Sequence, residues 1–174
     1  MGIELIMRLI KLGLISIVVF SAMIYIFSLF IPSQVRISRA INIGLPRDTL
    51  SRYIADMRTW PRWNDMVKQQ DSAMGTFGQR SYNGATLKID VLKATPDSIR
   101  TRWQSGTSAP VLSGFNLVQS LSDTTVAQWY FDFRLKWYPW EKFGSIIFDQ
   151  QLGPAMESSL ENLRKNLEHP EYKP

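Results

Sequence analysis

The chain has 174 residues, 45% hydrophobic and 20% charged, with no cysteine and a single histidine, His169. Such a composition fits one ordinary folded domain and excludes disorder and collagen-like repeats. Without thiols, and with one imidazole near the C-terminus, soft-ligand metal sites, disulfide frameworks and Cys or Ser-His nucleophiles lack their residues. The net charge of +5 is scattered among acidic residues, with no Lys/Arg run able to track phosphates, which argues against a nucleic-acid partner.

Leu12–Ile31 holds twenty consecutive uncharged residues, which as a helix would reach about 30 Å, the thickness of a hydrocarbon core. This predicts a membrane helix, with residues 1–32 as an anchor. The alternative is a cleaved secretory signal, but such signals carry apolar regions of only ~7–15 residues and a small-residue cleavage site, and no clear one precedes Pro32. Arg8 and Lys11 before the span favour a cytoplasmic N-terminus and a single-pass protein with its body on the extracytoplasmic side; Arg36 and Arg39 beyond it pull the other way. Pro32-Ser33 is a short linker, and three extended residues reach only about 10 Å.

The body is expected over residues 33–170, with 171–174 as a tail. Val35, Ile37, Arg39, Ile41 and Ile43 alternate with polar positions and predict a first strand. Pro46 then suits the first turn of a helix on which Leu50, Tyr53, Ile54 and Met57 fall on one stripe. A second short helix is predicted around Asn64–Gln70, past the aromatic corner Trp60-Pro61-Arg62-Trp63, and a weak strand or turn between Gly75 and Gly84. Leu87–Val91 and Ile99–Trp103 read as strands joined by the turn Thr95-Pro96-Asp97-Ser98. Phe115–Leu121 marks another, and the longest alternation runs from Thr125 to Trp137. Met156, Leu160, Leu163 and Leu167 return to a helical period; this closing helix is expected to begin near Ser145 and to be kinked or interrupted at Gly153-Pro154, because proline removes a backbone donor. The pattern is an α+β architecture, an antiparallel sheet with helices on one face. A curved sheet cannot meet a single helix everywhere, so a cavity between them is anticipated.

Arg39-Ala40-Ile41-Asn42-Ile43, Pro46 opening a helix, Ile54-Ala55-Asp56 and Trp60-x-x-Trp63 resemble the N-terminal signature of the polyketide cyclase/dehydrase and lipid-transport proteins of the START-like, or SRPBCC, superfamily. The stretch from Gly153 to Lys165 resembles that family's last helix, so the likeness covers residues 35–168. The resemblance implies a helix-grip fold, a curved antiparallel sheet wrapped around a long C-terminal helix, with a hydrophobic cavity for lipids, sterols, polyketides or other apolar ligands. Pro154 inside the closing helix departs from the family pattern.

Strand parity points Leu87, Ile89, Val91, Ile99, Thr101, Trp103, Phe115, Leu117, Gln119, Trp129, Phe131, Phe133 and Leu135 inward, and Asp90 and Asp132 outward. No carboxylate, histidine or cysteine then faces the cavity, so no catalytic residue, metal or cofactor is expected. The candidate ligand-binding residues are Arg39, Trp103, Phe115, Leu117, Trp129, Phe131, Phe133 and Leu135 from the sheet, with Met156 and Leu160 from the closing helix. Arg39, the one charged side chain of inward parity, either holds an anionic head group, or snorkels to water or pairs with a nearby carboxylate. The aromatic strip either walls a ligand or fills a core. Trp137-Tyr138-Pro139-Trp140 with Phe143, flanked by Lys136 and Lys142, suits either a lipid interface or packing under the closing helix. Gly75-Thr76-Phe77-Gly78 lacks the setting of a phosphate loop. The expectation is a membrane-anchored domain that binds a membrane lipid or other apolar small molecule without catalysis. Its rivals are a cyclase/aromatase-like enzyme and an interaction module with a filled cavity. No protein partner is named by the sequence.

Overall fold

Twenty-nine residues, Gly2–Phe30, form the first helix, α1. The computed structural model describes residues 2–71, 75–121 and 123–168; His169 and the expected tail at 171–174 lie outside them. Contacts divide the chain into two compact units, the first running to Val35 and taking in Leu135–Ile146, the second made of Arg36–Arg134 and the chain from Ile147 onward. In the first unit, 25 residues of α1, Ile6–Phe30, are long and apolar enough to cross a membrane, and nearly all of that surface is exposed. A short helix, α4, covers Pro139–Gly144.

The sheet has seven strands: β1 Gln34–Ile43, β2 Thr76–Phe77, β3 Ser81–Asn83, β4 Leu87–Ala94, β5 Ser98–Ser105, β6 Val111–Leu121 and β7 Thr124–Arg134. Their spatial order is β1-β7-β6-β5-β4-β3-β2, so every neighbour except β1 and β7 is also a neighbour in sequence. Between β1 and β2 come α2 (Arg47–Ala55), a tight 3₁₀ turn at Met57–Arg62 and α3 (Asp65–Gln70). The closing helix α5 spans Phe148–Glu168. The fold is the helix-grip α+β arrangement, a curved open antiparallel sheet with one long helix.

Strand parity holds in the sheet's centre. Ile89, Ile99, Phe115, Ala127 and Trp129 are fully buried, while Asp90 and Asp132 pair with Arg102 and Arg36 on the other face. Gln119 departs from its expected inward position: it is exposed at the sheet rim, where the β6–β7 register shifts between Gln119 and Leu121, and its Oε1 accepts the Arg47 N–H at 2.8 Å. The strand expected to reach Trp137 stops at Arg134. Pro139 opens α4 there, and the Lys136 N–H donates to the Glu141 carboxylate at 2.7 Å instead of joining a ladder. α5 consequently starts at Phe148 rather than near Ser145, because α4 and a 3₁₀ turn over Ser145–Ile147 occupy the intervening chain.

Pro154 does not interrupt α5. Proline crowds the Cβ of the residue before it, and Gly153 has none. The ring is exposed, so water can satisfy the carbonyl that its missing N–H leaves free. The N-terminus of α3 is held by α5: Ser159 Oγ accepts from the N–H groups of Asp65 and Met66 at 3.0 and 3.3 Å, and Ser158 and Asn162 donate to Asp65 Oδ2.

Candidate functional site

Four tryptophans fill the centre of the sheet's inner face. Trp60, Trp63, Trp103 and Trp129 are at most 4% exposed. Phe115 stacks on Trp129 at 5.1 Å and 14°, Trp63 meets both rings edge-on, and Trp60 lies 5.3 Å from Trp63 and 5.9 Å from Trp103. Each indole N–H has an internal acceptor: Ile54 O for Trp60, Thr59 Oγ1 for Trp63, Thr101 Oγ1 for Trp103 and Ser113 Oγ for Trp129. A buried indole with its donor satisfied is a packing element. Phe115, Leu117, Trp129, Met156 and Leu160 belong to this packed centre, each at most 2% exposed.

The packing fails at one end, and the opening lies there. Trp103, Phe131 and Phe133 from the sheet, with Leu87 and Val111 on neighbouring strands and Leu152 on α5, wall a cleft of about 130 Å³. Its rim carries Gln70, Ser105, Ser108 and Ala109, and no acid, base or tyrosine lines it. The β5–β6 turn that forms part of the rim needs Gly106 at a φ of +51°, a conformation costly for other residues. Phe133 reaches α5 through Phe148, the ring centroids 4.9 Å apart. Of the expected site residues, three meet here. Leu135 lies beyond the end of β7, in the first unit, where its N–H donates to Ser33 O.

Sequence reasoning did not single out Leu152, Val111 or the rim. Leu152 stands one helical turn before Met156 on the same stripe, and Val111 continues the parity of Ser113 and Phe115; both signals were present. The rim residues sit in a turn, which has no period to read.

Arg39 lies against α5. Its Nε donates to Glu157 Oε1 at 2.5 Å and its Nη1 and Nη2 to the two oxygens of Asp149 at 2.9 and 3.1 Å. Asp149, Gly153 and Glu157 follow one another at four-residue intervals, and a methyl at Gly153 would collide with the guanidinium. The Asp149 bonds, then the Glu157 bond, raise the Arg39 pKa, and the same bond from Arg39 holds the Asp149 carboxyl below the usual carboxylate range. The guanidinium is engaged by the protein itself.

A buried polar pair joins Tyr82 and Asp71, both at most 2% exposed. The Tyr82 hydroxyl donates to Asp71 Oδ2 at 3.0 Å and accepts from the Gly75 N–H at 2.8 Å. Burial pushes the Tyr82 pKa up. Neither residue lines the cleft. Two larger depressions, about 360 and 340 Å³, share Arg52, Ala55 and Ala94 between α2 and β4. Charged side chains, among them Arg80 and Asp56, line them, so they do not match an apolar ligand.

Residues 34–168 match the family described as polyketide cyclase / dehydrase and lipid transport. The chain belongs to this family. No curated protein matches it. Among solved structures it is similar to DynU16, a protein of the dynemicin biosynthetic locus, at 20% identity and a TM-score of 0.51, over 80% of this chain and 48% of that one. It is similar to norcoclaurine synthase from Thalictrum flavum at 8% identity and a TM-score of 0.55, over 78% and 87% of the two chains. The di-domain ARO/CYC BexL of the BE-7585A pathway gives 14% identity and a TM-score of 0.54, over 77% and 46%. This chain thus spans about half the length of DynU16 and of BexL. At these identities the likeness is one of fold.

Proposed function

We propose that this family member binds an apolar or amphipathic small molecule, in the first place a membrane lipid, in the Trp103–Phe131–Phe133 cleft and without catalysis. On this reading α1 crosses a bilayer and the body lies on the extracytoplasmic side. The observation that carries it is the character of the cleft: its walls are aromatic and aliphatic and offer no titratable side chain. Such walls reward burial of hydrocarbon at roughly 0.8 kcal/mol per methylene and supply nothing to move a proton. Sites that engulf a whole ligand measure about 300–1,000 Å³, against about 130 Å³ here. The cleft therefore suits one end of a ligand, such as the tip of an acyl chain or a single ring, with the polar end at the Gln70–Ser108 rim.

Native mass spectrometry of the detergent-purified protein, followed by solvent extraction, tests the reading. The expected outcome is co-purifying lipid near one per chain, lost when Leu152→Trp fills the cleft. A folded protein that carries nothing and takes up nothing would sink it.

The likeness to norcoclaurine synthase and to an ARO/CYC protein favours a second reading, a cyclase-type enzyme. Its acid or base would have to come from outside the cleft wall, since Tyr82 and Asp71 are buried against each other and Arg39 is held by two carboxylates. Turnover of a polyketide-like substrate that survives Leu152→Trp would favour this reading over the first.

A further inference from the structure

The aromatic segment after β7 is left without a role by the cleft. In the first unit Lys142 is 6% exposed, and its ammonium donates to Ser28 O at 3.1 Å and Ile31 O at 3.0 Å. These carbonyls lie at the end of α1, where a helix carries the negative end of its dipole; Ser28 O also accepts the Ile31 N–H at 3.3 Å. Glu141, the neighbouring carboxylate, instead accepts the Lys136 N–H. Lys142 therefore fastens α4 to the exit end of α1. Trp137 adds an edge-on contact with Tyr25 at 6.5 Å and lies tilted against Tyr138 at 4.8 Å, and Tyr138 stacks on Trp140 at 4.9 Å. Trp137, Trp140 and Ile146 nevertheless remain 65–70% exposed.

We infer that residues 136–146 are an interfacial foot, seated in the head-group layer of a phospholipid bilayer at the level where α1 leaves it. The inference rests on the reading of α1 as a membrane span. Ile6–Phe30 would reach about 37 Å as a helix, enough to cross the hydrocarbon core with its last turn at the boundary. Whatever is fastened to that last turn lies at head-group depth. Tryptophan and tyrosine settle there because the ring sits against hydrocarbon while the polar atom meets water. A protein partner would not need the patch to be tied to α1; a bilayer does.

The test uses the full-length chain in phosphatidylcholine vesicles, with or without bromine on the upper acyl carbons. Trp60, Trp63, Trp103 and Trp129 are buried in the second unit and common to both chains, so any quenching of Trp103 by lipid in the cleft cancels when the parent is compared with a chain carrying Trp137→Phe and Trp140→Phe. The foot predicts that brominated lipid quenches the parent's emission by a larger fraction than the variant's, while aqueous iodide separates the two chains little. Quenching of the Trp137/Trp140 component by iodide but not by brominated lipid overturns it, and so does shielding from both. Alkaline carbonate washing separates the two failures. A chain that washes off removes the membrane reading of α1 and the foot with it. A chain that stays but shows no lipid quenching sinks the foot alone.

Discussion

Tyr82 and Asp71 show how a single hydroxyl can carry stability. Among the described residues the Asp71 carboxylate has only the Tyr82 hydroxyl as a hydrogen-bond donor, and both groups are buried. Removing that donor leaves a buried acceptor unsatisfied and should cost about 1.5–3 kcal/mol. Tyr82→Phe is expected to lower the unfolding free energy by that amount, read as a lower urea midpoint at unchanged slope, and a neutral result would mean that water reaches Asp71. The alternation around Tyr82 says nothing of this pair, since the sequence shows neither which aspartate returns to it nor that the Gly75 N–H donates to the same hydroxyl.

The latch between β1 and α5 belongs to two elements together. Glycine inside a helix is normally about 1 kcal/mol worse than alanine, yet Gly153 makes room for the Arg39 guanidinium. Gly153→Ala should therefore destabilise the parent chain and become neutral or stabilising once Arg39→Ala has emptied the space. Thermal unfolding of the double-mutant cycle measures this coupling. Acid tests the same latch. The Asp149 carboxyl is held below its usual range by the bond from Arg39, so its contribution is present above the ordinary aspartate value of about 3.9 and is lost as pH falls through the depressed one. The acid limb of Tm against pH should be shallower in Arg39→Met than in the parent; equal limbs would remove Asp149 from the account.

Taken as a molecule, the chain couples an apolar helix to a domain whose core draws on neither α1 nor α4. It contains no cysteine, so one introduced thiol reports topology cleanly. Thr107→Cys, in the exposed β5–β6 turn, should react with a membrane-impermeant maleimide from the extracytoplasmic side of intact cells. Labelling only after lysis would put the body in the cytoplasm and show that Arg36 and Arg39 outweigh Arg8 and Lys11.

Periodicity and punctuation made most elements readable before any coordinates. The uncharged run of α1, the period-two strands β4 to β7 and the stripe of α5 each repeat a pattern that local burial imposes on neighbours in sequence. What they could not show is where strands and helices stop when a distant group decides it: β7 ends because its continuation pairs with Glu141, and α5 passes through Pro154 with Gly153 before it. The size of the cleft is of the same kind. Parity states which side chains face inward, but whether they meet or leave a gap depends on the separation of the sheet and α5 at each point, and here four tryptophans close the centre while Trp103, Phe131 and Phe133 stand apart from Leu152 at one end. Composition thus determined the apolar helix and the strand-rich body; the hollow, the Arg39 latch and the Lys142 cap arose only from contacts between residues far apart in the chain.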